Sequence, residues 1–315
     1  MKIAVSACLL GTSIRFDGGH KHDRFITEEL GRYAKFVPFC PEDLAFGTPR
    51  PSIRLVDTAG GISVRTNRDA TEVTEALLEK SRGECDAVAS AGVRAVIFKA
   101  KSPSCGLGST KRYLEDGRSE GKTDGVFAAM CRERFGLLPM EEEGRLQDPW
   151  LRENFVMQLF AYDAFERFRE AEPGMKELVD FHSRNKFLLQ AKDEGRYREL
   201  GRIVGNHDGM PFERVLAAYE DGFKRAIACK SSIKRNRNVL EHMAGFFKRE
   251  LTPGEKRTLH TLITDYSAKI VPLITPLSTL KLFAEKYGTE YLLQQTFLDP
   301  YPKELALRSH IGSGR

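Results

Sequence analysis

Residues 95–106 read AVIFKAKSPSCG, and this stretch sets the architecture of the first half of the chain. Ala95–Phe98 is a short, apolar, β-prone run of the kind that forms a buried strand. Pro103 and Gly106 then interrupt regular structure, with a thiol between them. The sequence therefore predicts that Cys105 lies at the exit of a buried strand and not inside a core.

Two further cysteines follow apolar runs in the same way. Lys2–Ser6 (KIAVS) predicts a first strand with Cys8 shortly after it, and Phe36–Phe39 predicts a second strand that leads directly to Cys40. Open α/β sheets assemble ligand sites at the carboxyl ends of their strands. The three thiols are therefore expected to meet at one edge of a sheet.

The rest of the first half alternates between strand and helix patterns. Helices are predicted over Glu28–Ala34 and Asp124–Phe135, and Asp69 is a candidate N-cap for a further amphipathic helix. Ile62–Val64 predicts a short edge strand, and Glu115–Thr123 is interpreted as a polar turn. Such alternation is typical of an α/β domain with a mainly parallel sheet.

A polar, acidic segment, Glu141–Asp148, is interpreted as a linker between two domains. Beyond it, strand-like alternation disappears and apolar residues recur at helical spacing. The sequence thus predicts an α/β domain over residues 1–145 and an all-α domain over residues 150–311. Helices are expected at Asn154–Arg169, Gly174–Ala191, Tyr197–Gly205, Pro211–Ile227, Val239–Phe247, Pro253–Lys269 and Leu277–Tyr287.

At 315 residues, the chain is long enough for two domains that each bury a core. Its content of 41% hydrophobic and 30% charged residues is typical of a soluble globular protein.

We expect a cytoplasmic protein with no membrane partner, because no apolar run is long enough to cross a membrane and no signal peptide is recognisable. Six cysteines without dense spacing fit a reducing compartment. The sequence does not indicate the oligomeric state.

Three converging thiolates can bind either zinc or an iron–sulfur cluster. Structural zinc usually takes pairs of closely spaced cysteines, which this chain lacks. A four-iron cluster on three thiolates would keep one iron open, and an open iron can bind a soft ligand such as sulfur. Spacing alone leaves both metals possible. Cys85, Cys131 and Cys229 lie in helical patterns and are interpreted as buried small hydrophobes.

Polar side chains lie beside two of these cysteines. Glu42 follows Cys40 by two positions, and it could act as a general acid or base or remain a solvated loop residue. Ser102 and Ser104 flank Pro103, and they could donate hydrogen bonds to a substrate or only stabilise a turn. These three side chains are the candidate catalytic residues.

Basic residues are in excess only in the second half. Residues 1–148 carry 22 Lys+Arg and 22 Asp+Glu, whereas residues 149–315 carry 27 and 22. Segment 224–237 (KRAIACKSSIKRNR) contains no acid, which predicts either a solvated helix face or a surface that contacts RNA phosphates. The candidate RNA-binding residues are Lys224, Arg225, Lys230, Lys234, Arg235 and Arg237, together with Arg50 in a rigid proline-flanked loop.

The motifs of the first half together resemble a known family. SACLLG at residues 6–11, RFDG at 15–18, CPE at 40–42 and SPSCG at 102–106 are similar to the TudS thiouracil desulfidase family, across about residues 1–145. In the second half, FHSRNKFLL, NVLEHMAGFFK, PLITPL and QQTFLDPYP resemble the YbgA-type domain that is found fused to it. The fused architecture resembles the RudS-type desulfidases, which act on 4-thiouridine in tRNA.

This resemblance implies a 4Fe-4S cluster on Cys8, Cys40 and Cys105, with the fourth iron free to bind the sulfur of the substrate. It also implies that Glu42 activates water or protonates the ring nitrogen while the iron polarises the C=S bond. Sulfide would then leave as hydrogen sulfide without external electrons. The implied reaction converts 4-thiouridine in tRNA to uridine.

The resemblance further implies that Ser102 and Ser104 orient the base and that the helical domain holds the tRNA. Arg50 and Arg54 are expected to contact the phosphate or ribose of the nucleotide. Two alternatives stay open. One is a desulfidase of free thiouracil or thiouridine nucleotides, and the other is a non-catalytic RNA-binding protein with structural zinc.

Overall fold

In the computed structural model, residues 1–310 are described, and the predicted domain end at residue 311 lies outside them. The chain divides into two compact units, of which the first is Met1–Gln147 and the second begins at Asp148. The strands are β1 Lys2–Ser6, β2 Lys35–Phe39, β3 Ile53–Thr58, β4 Gly61–Thr66, β5 Val96–Phe98, β6 Thr110–Leu114, β7 Ser119–Thr123 and β8 Met140–Glu142. The helices of the first unit are α1 Pro41–Phe46, α2 Thr74–Ser90 and α3 Val126–Phe135.

The first sheet has the order β2-β1-β5-β8, and all its strands are parallel. Its apolar residues are buried against α2 and α3, where the rings of Phe39, Phe98 and Phe127 pack with centroids 4.7–6.0 Å apart. Cys85 and Cys131 lie in the same core, with their sulfurs 3.6 Å apart. The predicted α/β domain with a mainly parallel sheet is confirmed.

A second sheet, of order β4-β3-β6-β7, was not predicted as a separate layer. β3 pairs parallel with β6, and the two outer pairs are antiparallel. Ile62–Val64 does lie in an edge strand, β4, but of the predicted turn Glu115–Thr123 only the first four residues form a turn, and Ser119–Thr123 is strand β7. A hairpin with one solvated face carries polar residues, so its sequence resembles a loop.

Two predictions about helices in the first unit are wrong. Helix α2 begins at Thr74, because the carboxylate of Asp69 accepts hydrogen bonds from Thr66 and Thr71 in the turn before it. The segment predicted as a helix at Glu28–Ala34 is a single π-helical turn followed by a short 3-10 turn that ends at Arg32. Local side-chain hydrogen bonds thus compete with regular helix at these positions.

The predicted linker contains strand β8 at the edge of the first sheet. Glu141 accepts a hydrogen bond from Nε of Arg145 at 2.7 Å, and Glu142 accepts from the hydroxyl of Ser109 and the backbone N–H of Leu107, both at 2.5 Å. These partners compensate the burial of two carboxylates. An acidic run therefore forms an edge strand where the sequence indicated a solvated linker.

The second unit is helical throughout residues 148–310, which confirms the all-α prediction. Phe165, Phe181, Tyr219 and Phe223 form an aromatic cluster at its centre, with neighbouring centroids as close as 5.2 Å. None of the helices within residues 1–310 is both long and apolar enough to cross a membrane. The helices of the second unit are α4 Pro149–Glu170, α5 Met175–Lys192, α6 Glu194–Gly205, α7 Phe212–Ala228, α8 Ile233–Gly245, α9 Pro253–Ser267, α10 Ile274–Lys286 and α11 Glu290–Leu293.

Lys192 at the end of α5 is completely buried in this unit. Its ammonium donates a hydrogen bond to Oδ1 of Asn154 at 2.8 Å, and burial lowers the pKa of Lys192 to about 7. An unfolded chain keeps this proton up to the ordinary lysine pKa, so above pH 7 the unfolded state binds more protons than the folded one. Stability is therefore expected to rise with pH in this range.

We predict that the free energy of unfolding of the helical unit rises between about pH 7 and 8.5, by up to about 1.4 kcal/mol per pH unit. Lys192→Met should remove most of this slope, because it removes the titrating group and fills similar space. Urea denaturation at several pH values measures both. An equal slope in the two proteins would contradict the assignment of the slope to Lys192.

Candidate active site

A cavity of about 330 Å³ opens at the carboxyl edge of the parallel sheet. Cys8 lies in a short 3-10 turn directly after β1, Cys40 is the N-cap of α1 directly after β2, and Cys105 lies in the loop after β5. All three line this one cavity. Parallel neighbouring strands end at the same edge, which is why cysteines far apart in sequence lie together.

The three thiols are largely withdrawn from solvent. Burial raises the pKa of Cys8 to about 11, although Lys99 and Arg15 partly offset this effect. Burial raises the pKa of Cys40 to about 12, and burial together with the charges of Cys40 and Glu42 raises the pKa of Cys105. The free thiols are therefore protonated near neutral pH, and a bound metal cation would be needed to stabilise the thiolates.

No group of three His, Cys, Asp or Glu side chains within residues 1–310 is arranged to hold a single metal ion. In a four-iron cluster each thiolate binds a different iron, so the sulfurs stand further apart than ligands of one ion. Three thiols on one cavity, those of Cys8 and Cys105 buried and that of Cys40 partly buried, fit such a cluster.

Glu42 lies in the first turn of α1 and points its carboxylate toward the loop that carries Cys105. Its Oε1 accepts hydrogen bonds from the hydroxyls of Ser102 and Ser104, at 2.8 and 2.6 Å. Ser104 Oγ also lies 3.3 Å from the sulfur of Cys105. The structure thus brings the three predicted catalytic side chains into one hydrogen-bonded group beside a cysteine.

Arg50 is buried, with 3% of its side chain exposed, and its guanidinium holds the other oxygen of Glu42. It donates from Nη2 to Oε2 of Glu42 at 3.1 Å and from Nη1 to the carbonyls of Ile14 and Gly47, at 2.9 and 3.0 Å. Both Nη atoms are thus engaged within the protein and Nε is buried, so this arrangement does not favour the predicted contact of Arg50 with a nucleotide phosphate. Arg50 positions the carboxylate of Glu42.

We predict that Arg50→Met destabilises the first unit by about 3–5 kcal/mol, since it leaves a buried carboxylate without its cation. Arg50→Lys keeps the charge but not the forked geometry, and it should recover only part of this loss. Chemical denaturation of both variants measures the effect. A change below about 1 kcal/mol for Arg50→Met would show that solvent replaces the pair.

An ion pair on the cavity wall was not predicted from the sequence. Lys99 lines the cavity, and its ammonium pairs with Glu143, whose other oxygen accepts from the backbone N–H of Ala100 at 2.6 Å. Arg15 lines the same wall. The position of Lys99 directly after a buried strand could have indicated this pair, but Glu143 lay in the segment that was predicted to be a linker.

The basic segment 224–237 is mostly engaged within its own unit. Lys224 is buried and pairs with Glu166 and Glu220 at 2.6 and 2.5 Å, so it cannot form part of an exposed phosphate-binding surface. Arg235 donates to two backbone carbonyls. Arg225 and Arg237 each pair with an acid four residues away, at 2.7 Å. This pattern agrees better with a solvated helix face.

Two members of the segment keep exposed ammonium groups. Lys230 lies over the ring of Trp150, 5.4 Å from its centroid. Lys234 is exposed and has no ion-pair or hydrogen-bond partner among residues 1–310. Of the six candidate RNA-binding residues of this segment, only Lys230 and Lys234 have charged groups that form neither an ion pair nor a hydrogen bond within residues 1–310.

Comparison with known proteins divides the chain in the same way. Residues 3–143 match the family model described as 2-thiouracil desulfurase, and residues 186–302 match a model described as a protein of unknown function, DUF1722. The uncharacterized protein YbgA of Escherichia coli (strain K12) is 26% identical over 154 residues, covering 49% of this chain and 91% of that protein.

Two relatives match the first unit. The uncharacterized protein YbbK of Bacillus subtilis (strain 168) is 31% identical over 140 residues, covering 42% of this chain and 89% of that protein. Among solved structures, the 4Fe-4S-dependent thiouracil desulfidase TudS is 30% identical and covers 47% of this chain and 93% of its own, with a TM-score of 0.38.

Fold and site define an α/β unit with a cysteine-lined cavity at the carboxyl edge of a parallel sheet, joined to a helical unit. The chain belongs to the 2-thiouracil desulfurase family through its first unit and carries a YbgA-type DUF1722 domain in its second. The resemblance found in the sequence motifs is confirmed.

Proposed function

We propose that this protein is an iron–sulfur-dependent, non-redox desulfidase that converts 4-thiouridine in tRNA to uridine and releases sulfide. The observation that carries the proposal is one cavity lined by three cysteine thiols and by the Glu42–Ser102–Ser104 group, in a chain of the 2-thiouracil desulfurase family. Cytoplasmic location fits this substrate, and all six cysteines are free, as in a reducing compartment.

Cys8, Cys40 and Cys105 would hold a 4Fe-4S cluster. When bound, it supplies an iron without a protein ligand, which is a Lewis acid for the sulfur of a thiocarbonyl group. The overall reaction replaces C=S by C=O, with water consumed and hydrogen sulfide released, so no electron donor is needed. Side chains of this protein would transfer the protons and orient the substrate.

Glu42 is the proton-transfer group in this proposal. Two serine hydroxyls and Arg50 fix its carboxylate from both sides, so it can accept a proton from attacking water without rearranging. The same group can return the proton to the ring nitrogen or to the leaving sulfide. Ser102 and Ser104 hold the carboxylate and can turn toward the base to orient it.

The thiolated base would have to enter this cavity of about 330 Å³ beside the cluster. A thiolated base in tRNA must therefore leave its stack, at a cost of a few kcal/mol that phosphate contacts can offset. A fused second unit with excess positive charge supports a macromolecular substrate over a free base. We keep Lys230 and Lys234 as its proposed RNA contacts.

The test is anaerobic reconstitution of the full chain, followed by addition of thiolated tRNA or of free 4-thiouracil. We expect thiouridine absorbance to fall with equimolar release of sulfide, and faster turnover of the tRNA. Turnover of the free base alone would favour the second candidate, a desulfidase of free thiouracil, which the family description supports. No turnover of either, with zinc bound, would overturn both.

A further inference from the structure

A groove of about 520 Å³ adjoins the catalytic cavity on the outer face of the second sheet. The two share four wall residues, which are Phe16, Glu42, Lys101 and Pro103. A substrate whose base enters the catalytic cavity can therefore extend into this groove. The groove lies wholly within the first unit.

Basic side chains form a row across all four strands of this sheet. Arg65 on β4 lies directly opposite Arg54 on β3, and Lys111 on β6 lies directly opposite Lys122 on β7. Because Leu55 pairs with Arg112, Arg54 and Lys111 are neighbours across the middle of the sheet. Strands are spaced about 4.8 Å apart, so the row spans about 14 Å.

Like charges directly opposite each other destabilise a sheet. This row contains two such pairs; Glu72 opposes Arg65 from the other side in an isolated bridge, whereas neither Lys111 nor Lys122 has an ion-pair partner among residues 1–310. Arg65 has an acid, Glu115, at 3.5 Å, whereas Arg54 has no ion-pair or hydrogen-bond partner among residues 1–310 and its Nε is buried. An external polyanion would relieve the repulsion between these side chains.

Lys101 and two aromatic rings extend this surface toward the catalytic cavity. Lys101 has a left-handed backbone with φ 63°, which is unusual for a residue with a side chain, and it lines both cavities. Phe16 is 41% exposed at the shared rim, and Tyr113 lines the groove beside the basic row. Cations interleaved with aromatic rings on a sheet are typical of surfaces that bind single-stranded nucleic acid.

We infer that the basic row Arg65–Arg54–Lys111–Lys122, with Lys101, binds the phosphodiester backbone of the RNA that flanks the target nucleotide. This inference rests on the proposed function for the identity of the base in the catalytic cavity. Tyr113 and Phe16 stack on bases next to the target. The first unit thereby recognises RNA and not only the thiolated ring.

The test measures binding of unthiolated tRNA to the full chain by fluorescence anisotropy at several salt concentrations. Lys122→Glu places a carboxylate opposite Lys111, so the melting temperature should stay the same or rise. Affinity for tRNA should nevertheless fall about tenfold, and the salt dependence should weaken by about one to two released ions. A loss of stability cannot explain this combination.

Lys80→Glu, on helix α2 and not among the residues that line the groove, changes net charge by the same amount as Lys122→Glu and should keep wild-type affinity. Lys111→Gln/Lys122→Gln repeats the test without introducing an acid. Unchanged affinity and salt dependence in the row variants would overturn the inference, as would an equal loss in the control. Since the probe is unthiolated, the result is independent of whether the wild-type chain desulfurates any substrate.

Discussion

Glu42→Gln is expected to lower kcat for desulfuration by about 100- to 10,000-fold, the range typical for loss of a positioned general acid or base. The amide keeps the size of the side chain, and its oxygen can still accept from Ser102 and Ser104. It cannot accept a proton from water, and its NH₂ group would face the guanidinium of Arg50. The loss should therefore appear in kcat more than in KM.

Asp43→Asn is the matched control, since Asp43 lies next to Glu42 on the same helical turn. Its Oδ1 lies 3.9 Å from Nη1 of Arg50 and accepts from the hydroxyl of Thr48 at 2.5 Å, but it does not line the cavity. We expect less than a threefold change in kcat. Iron and acid-labile sulfide should equal wild-type content in both variants. Near-normal turnover in Glu42→Gln would mean that another group transfers the proton.

The meeting of Cys8, Cys40 and Cys105 was predictable because it depends on short-range signals. Apolar β-prone runs that end at a turn residue predict strands, and parallel strands bring their carboxyl ends together. The proximity of Glu42 followed from its place two residues after Cys40. The hydrogen-bond partners of Glu42 could not be predicted, because Ser102 lies 60 residues further along the chain.

Charged residues account for most of the differences. Arg50 and Lys224 were expected to face a nucleic acid, yet both are buried against carboxylates. Whether a charge is solvated or paired depends on residues brought close by tertiary structure, and sequence composition does not record this. The polar β6–β7 hairpin and the acidic strand β8 were missed for the same reason. The basic row on the second sheet could only be recognised once the strand register was known.

Cys8→Ser, Cys40→Ser and Cys105→Ser are each expected to remove the cluster and all detectable desulfuration. A serine hydroxyl ionises far less readily than a thiol, and these positions are buried or partly buried, so a two-thiolate site should not retain iron. Iron and acid-labile sulfide per chain, measured with tRNA desulfuration, test this. The substitution changes volume little, so circular dichroism should show a folded chain.

Cys85→Ser separates ligation from general loss of a buried thiol. Cys85 is 2% exposed and thus more deeply buried than the proposed ligands, but its sulfur faces Cys131 in the core and not the cavity. We expect this variant to lose some stability and to keep its cluster and turnover. If Cys8→Ser kept full cluster content, or if Cys85→Ser lost it, the ligand set would have to be reassigned. Zinc in place of iron in the wild-type chain would remove the basis for the iron chemistry, while leaving the RNA-binding test of the second sheet valid.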